Sequence, residues 1–257
     1  MMPYRIQSAA LLIILTLTAT AQNMTDAEGR KQGPWTKNYP NGKIMYEGTF
    51  KSDKPVGLFK RYSEEGVLSS ELNYSEKEDR AIAVFYHPDG NKAGEGTYVS
   101  QKKEGLWKFY STQAYLISEE EFSDDVRHGL TRRFYPDGAL AEKLTFDKGK
   151  KTGGWEQYYP DGRVCLRAEY IDGQLNGPFS FYFRDGKLQY DGRYKSDRRD
   201  GEWIVLNEDG TVKQIMEYKD GRLTDPALAD KETKFLDDLE KNKGKINITD
   251  INGNIIK

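Results

Sequence analysis

The chain has 257 residues, of which 37% are hydrophobic and 31% charged, with aromatic residues at 12%; this balance excludes one large globular core and leaves a few big rings to supply most of the burial. The formal net charge is −2, from 39 basic and 41 acidic residues mixed along the chain, so there is no basic stripe for nucleic acid and little basis for binding anionic lipid by charge alone. A single cysteine, Cys165, rules out an intrachain disulfide.

Residues 1–21 read MMPYRIQSAALLIILTLTATA. Arg5 gives a short positive region, Ala9–Leu17 an apolar stretch, and Ala19-Thr20-Ala21 a small-x-small site. This is the pattern of a secretory signal peptide, with cleavage expected between Ala21 and Gln22 and export to the periplasm or the medium. The apolar run is shorter than the roughly 20 residues of a membrane span. No cysteine follows the site to carry a lipid anchor. Residues 22–32 are polar and read as a short flexible lead-in.

Residues 33–224 repeat every 24 residues, eight times. The opening position holds Gly33, Gly57, Ala81, Gly105, Gly129, Gly153, Gly177 and Gly201. Two residues later come Trp35, Phe59, Ala83, Trp107, Thr131, Trp155, Phe179 and Trp203. Every unit closes on an aromatic: Phe50, Tyr74, Tyr98, Phe122, Phe146, Tyr170, Tyr194 and Tyr218. A fixed period of this size marks a repeat architecture, in which each unit touches only its neighbours. The opening glycines and the tryptophans are its expected structural residues.

Each unit reads as two short strands around a turn such as Pro160-Asp161-Gly162. Proline presets φ for the first turn position, Asp suits the second, and glycine takes the left-handed conformation that returns the chain through a bulge. This three-residue turn would place Tyr62, Tyr86, Tyr110, Phe134, Tyr158 and Tyr182 on the apolar face of the second strand, and the tryptophans on the other face or at the strand entry. A two-residue Asp-Gly turn would instead turn the tryptophans inward, but would leave proline where a ladder N–H is wanted. The sixth unit's strands are expected at Trp155–Tyr159 and Arg163–Tyr170. Polar turns between units make the whole an elongated all-β antiparallel meander or solenoid of about sixteen strands, twisted along its length. Two units are irregular: the third has Ala81 and Ala83, and the fourth has Gln113-Ala114 in place of the turn Asp-Gly. Sequence drift and a site for a partner both fit these departures.

The period stops at Asp225. Asp225 as N-cap and Pro226 at the first helical position start a helix, expected over Pro226–Lys241, with Leu228, Phe235, Leu236 and Leu239 on one stripe. The helix is expected to cap the open end of the sheet. Beyond it, Ile251-Asn252-Gly253-Asn254 suggests a small hairpin.

No catalytic, cofactor-binding or metal-binding constellation is readable. His87 and His128 have no partner at metal-ligand spacing, Cys165 has no activating neighbour, and no phosphate-binding, nucleophile or dinucleotide motif occurs. The Gly-x-Trp…Tyr-x-x-Gly core, with the following Glu47-Gly48-Thr49-Phe50, Glu95-Gly96-Thr97-Tyr98 and Asp191-Gly192-Arg193-Tyr194 strands, resembles the MORN repeats. It is most similar to the 24-residue bacterial variant found in YwqK-type antitoxin-like proteins. The resemblance covers Gly33 to about Leu223. It implies a non-catalytic protein-interaction module or scaffold with an unidentified protein partner, without cofactor. It also implies two alternatives: an antitoxin or immunity protein for a cognate toxin, and a membrane-lipid or envelope-binding protein. The irregular third and fourth units are the expected binding region.

Overall fold

The computed structural model describes residues 22–229 and 231–241; the expected signal peptide and the expected hairpin near the C-terminus lie outside the described residues. The strand segments form one antiparallel sheet in which each pairs with its chain neighbours, from Met24–Thr25 at one end to Arg222–Leu223 at the other. Met24 and Thr25 pair with Gln32 and Lys31, so the lead-in covers the first edge instead of hanging free. Trp35 secures it by donating its indole N–H to the Met24 carbonyl at 3.0 Å.

The first strand of the hairpin is longer than the sequence suggests, and the second is shifted by one residue. In the sixth unit they span Lys150–Tyr158 and Val164–Ile171. The start moves back because the links between units are two-residue turns. At Lys148-Gly149, Ser196-Asp197 and Ser52-Asp53, both residues have positive φ, the mirror-image turn that matches strand twist. Aspartates in these turns tie unit to unit: Asp53, Asp125 and Asp197 accept from the backbone N–H of Lys31, Lys103 and Leu175.

The turn inside each unit is the three-residue form. Gly162 N–H donates to the Tyr159 carbonyl, Tyr159 N–H donates to the Arg163 carbonyl, and Gly162 has φ +84°. The facing expected from that turn is nevertheless reversed. Each unit carries a second bulge: Gln157 pairs with Leu166 but Tyr158 with Val164, leaving Cys165 extra. The same skip falls on Met45, Ser69, Ala93, Ile117, Ala141, Gln189 and Lys213. Because side chains alternate with period two, the second extra residue restores the parity that the first one changed. Trp155 therefore shares a face with Leu166, Ala168 and Tyr170, all buried. Tyr62, Tyr86, Tyr110 and Tyr158 lie on the opposite face, where their hydroxyls donate to Glu47, Glu71, Glu95 and Glu156.

The opening glycines place a crease along this sheet. Gly105 has φ +71°, and register toward the preceding unit skips there, from Glu95↔Lys108 to Thr97↔Glu104. A bulge of this kind bends the strand; repeated at the same position, it creases the sheet along its length. The junction between the second and third units is the exception. With Ala81 in place of glycine, pairing runs unbroken from Ser70↔Phe85 to Tyr74↔Ala81.

Inside the crease runs one continuous row of residues in which bulk and space alternate. Phe59 faces Gly48, Trp107 faces Gly96, and Trp203 faces Gly192; a Cβ on any of these glycines would overlap the ring. Leu72 pairs with Ala83, and Trp155 with Ala168. The best-buried part of the row lies in the last units, where Trp203, Met216, Val205 and Tyr190 are at most 1% exposed.

The expected helix is split. Asp225 accepts from Ala227 N–H and Pro226 opens a single 3-10 turn, Pro226–Leu228; helix α1 then runs Lys231–Lys241. The Ala229 backbone is extended, with ψ 107°, which breaks the continuous helix. Helix α1 also does not sit across the end of the sheet. It lies on the inner face, where Leu236 is fully buried against the cluster and Phe235 and Leu239 pack beside it. Among the described residues no helix is long and apolar enough to cross a membrane.

Candidate binding face

The inner face has two halves. Over the seventh and eighth units α1 covers it. Phe235 stacks on Tyr190 with centroids 5.0 Å apart, and meets Phe181 edge-on at 5.4 Å. Glu232, buried, accepts from the Tyr190 hydroxyl and the Lys213 ammonium. Asp237 pairs with Arg199, whose guanidinium lies 4.5 Å from the Tyr218 ring centroid. The face therefore holds a helix through one aromatic slot and two carboxylate–cation contacts.

Over the first five units the same face has no such cover among the described residues. Trp35, Phe50, Tyr74, Tyr98, Phe109 and Phe122 are only partly buried there. Cations lie over these rings. Lys31 Nζ is 4.7 Å from the Phe50 centroid and 5.0 Å from Trp35. Lys103 Nζ lies 4.9 Å from both Trp107 and Phe122. The register explains the recurrence: Lys31, Lys103, Arg127, Lys151 and Arg199 all occupy the position two residues before an opening glycine. Among the described residues Arg127 pairs with Glu120 and Arg199 with Asp237, whereas Lys31 and Lys103 have no carboxylate within ion-pair distance.

A groove of 320 Å³ opens between the second and third units, lined by Arg61, Tyr74, Asp79, Arg80, Phe85 and Tyr98 among others. Its cause is local. In the inner row Leu72, Ala83 and Gly96 follow one another with no large ring between them, and without a glycine at position 81 the strand does not bend in to close the gap. Arg61 and Arg80 line the groove without an ion pair among the described residues. Burial raises the Tyr74 and Tyr98 hydroxyls above the ordinary phenol value.

The structural residues expected from the sequence are all placed. Gly33, Gly57, Gly105, Gly129, Gly153, Gly177 and Gly201 all have positive φ. Trp107, Trp155 and Trp203 are buried inside the crease, and Trp35 is half-buried at its open start. Gln22 is exposed, and Ala21 lies outside the described residues. The two histidines are apart: His87 Nε2 is 2.9 Å from the Tyr110 carbonyl, and His128 Nδ1 is 3.2 Å from Asp147. Cys165 is the bulge residue of its unit, and burial pushes its thiol up to about 12, so it is held as the unreactive protonated form. No group of three or more potential metal ligands occurs among the described residues. The sequence reading did not single out the cation row, although a basic residue recurring two before the opening glycine was its visible signal.

Fold and face together define a β-hairpin repeat protein with an open inner face. Five segments, residues 31–52, 55–76, 127–148, 175–196 and 199–220, match the family model described as MORN repeat variant, so the chain carries repeats of that family. A search of curated proteins returned no match.

Proposed function

We propose that this chain is an exported, non-catalytic scaffold that binds a protein partner along the inner face of its first five units. One observation carries the reading: the face that α1 closes over the last units continues, uncovered among the described residues, with half-buried rings and with Lys31, Arg61, Arg80 and Lys103 in no ion pair among those residues. Half-buried aromatics beside unpaired cations are the usual anchors of protein interfaces. The signal-peptide pattern of residues 1–21 supports export to the periplasm or the medium.

The test is site-specific photo-crosslinking of the full chain in its own cells, followed by fractionation. A crosslinker at Phe109, inside the crease, should capture a protein in the exported fraction. One at Leu106, which is 45% exposed on the opposite face, should not. Capture from Leu106 alone, or an exclusively cytosolic chain, would overturn the proposal. A single small partner that is toxic when expressed alone would make the scaffold an immunity protein. Crosslinking to lipid in place of protein would replace the proposal with an envelope-binding role.

A further inference from the structure

The seat of α1 has a counterpart four units earlier. A shift of 96 residues carries Phe181 to Phe85, Tyr194 to Tyr98, Arg199 to Lys103, Trp203 to Trp107 and Tyr218 to Phe122. Gly192, which admits the Trp203 ring, becomes Gly96, which admits Trp107. The geometry repeats with the residues. Tyr194 meets Trp203 edge-on at 5.2 Å, and Tyr98 meets Trp107 edge-on at 5.0 Å. Arg199 lies over Tyr218, and Lys103 over Phe122.

Two differences remove rings from the earlier seat. Phe179 becomes Ala83, and Tyr190 becomes Gly94. They leave the groove beside Phe85 and Tyr98. A third difference replaces Lys213, the partner of Glu232, with the exposed Ile117. The earlier seat therefore keeps Phe85 in place of Phe181 and Lys103 in place of Arg199, sets Phe109 in place of Val205 against Gly94 where the last units have the Tyr190 ring, holds Glu120, paired with Arg127, in place of Met216, and drops the second cation.

We infer that the Phe85–Lys103–Phe122 seat binds an acidic amphipathic helix of a partner protein, one that presents an aromatic residue two positions before an aspartate, as Phe235 and Asp237 do in α1. This deepens the proposed function and rests on it. Charge complementarity and the internal precedent both favour this occupant. Arg199 is nearly buried in its pair with Asp237, while Lys103, in the equivalent position over three rings, faces no carboxylate among the described residues.

The probe is a helix-stapled, fluorescent peptide with the sequence Lys231–Lys241, titrated into the full chain and followed by anisotropy; stapling removes the cost of ordering a short helix. Saturable binding is expected. Lys103→Gln should weaken it at least about threefold and Lys103→Glu at least about tenfold, as removal and reversal of a partly exposed ion pair do. Leu106→Ser, on the opposite face, should leave it unchanged. A peptide carrying Asp237→Lys should bind the Lys103→Glu chain more tightly than the unmodified chain, a swap that misfolding could not produce. With a photoreactive group in place of the peptide's phenylalanine, crosslinks should map to residues 81–122. Crosslinks confined to residues 177–218 would mean exchange with the chain's own helix and would overturn the inference, as would affinity indifferent to Lys103. Concentration-dependent self-association of the free chain, abolished by Lys103→Glu, would assign the seat to a second copy instead. If the peptide fails to bind while Phe109 still captures a protein, the helix seat falls and the binding face stands; if both fail, both fall.

Discussion

At Ala114 the fourth unit keeps the turn of the other units without its glycine. Ala114 N–H donates to the Ser111 carbonyl, as Gly162 does to Tyr159, and Ala114 holds φ +66°. A left-handed conformation costs an L-residue about 1 kcal/mol, so Ala114→Gly is expected to stabilise the chain by about that amount, seen as a higher urea midpoint. The tryptophans give a paired prediction. Trp155 Nε1 donates to Glu142 at 2.8 Å, and that carboxylate is buried. Trp203 Nε1 is buried with no acceptor among the described residues. Replacing either by phenylalanine removes similar volume, but only Trp155→Phe takes a donor from a buried charge. It should cost about 1–2 kcal/mol more than Trp203→Phe; equal losses in denaturant titrations would contradict this account.

Helix α1 lies outside the repeat, and it explains how the last units reach the deepest burial. Phe235 fills the slot between Phe181 and Tyr190, so Phe235→Ala should cost about 3 kcal/mol locally. In a repeat array that loss stays near its source. Hydrogen exchange should accelerate in α1 and the last two units and hold steady in units one to four; uniform acceleration would mean a single cooperative core. The turns were legible because glycine marks seven of the eight at a fixed offset, with aspartate before it in five and proline in four. The facing was not. The second bulge carries no signature residue, being Met45, Ser69, Ala93, Ile117, Ala141, Cys165, Gln189 or Lys213, and without it the count of side chains comes out one short. The placement of α1 was hidden for a different reason. An apolar stripe shows that a helix packs, but which surface receives it depends on the Arg199 and Lys213 contacts across the crease. The groove lies between the second and third units, lined by six residues of the second and four of the third, so it meets the region expected at units three and four only in part; its cause, consecutive small residues in the inner row, is visible only in three dimensions.

The molecule as a whole is a thin sheet with chemically distinct sides, and tyrosines on both sides set its response to alkali. Burial, reinforced by neighbouring carboxylates, pushes Tyr62, Tyr110 and Tyr158 up to about 12, and burial does the same for Tyr135 and Tyr159. The folded values lie above the unfolded value of 10.0, so the contribution is complete below pH 10. Between pH 10 and about 12 the unfolded chain gives up these protons while the fold retains them, and stability falls. The urea midpoint should decline through that window, and less steeply in the Tyr62→Phe, Tyr110→Phe double variant; identical slopes would refute it. The paired bulges have a consequence for how such a chain can change in length. One bulge in each hairpin offsets the other, so the array obeys a kind of reading frame. Loss of a whole 24-residue unit keeps every ring inside the crease, whereas loss of a single strand residue such as Cys165 would turn one strand over and set its aromatics in water. Genes for such arrays can therefore grow or shrink by entire units and stay foldable, while single-codon insertions and deletions are confined to the turns.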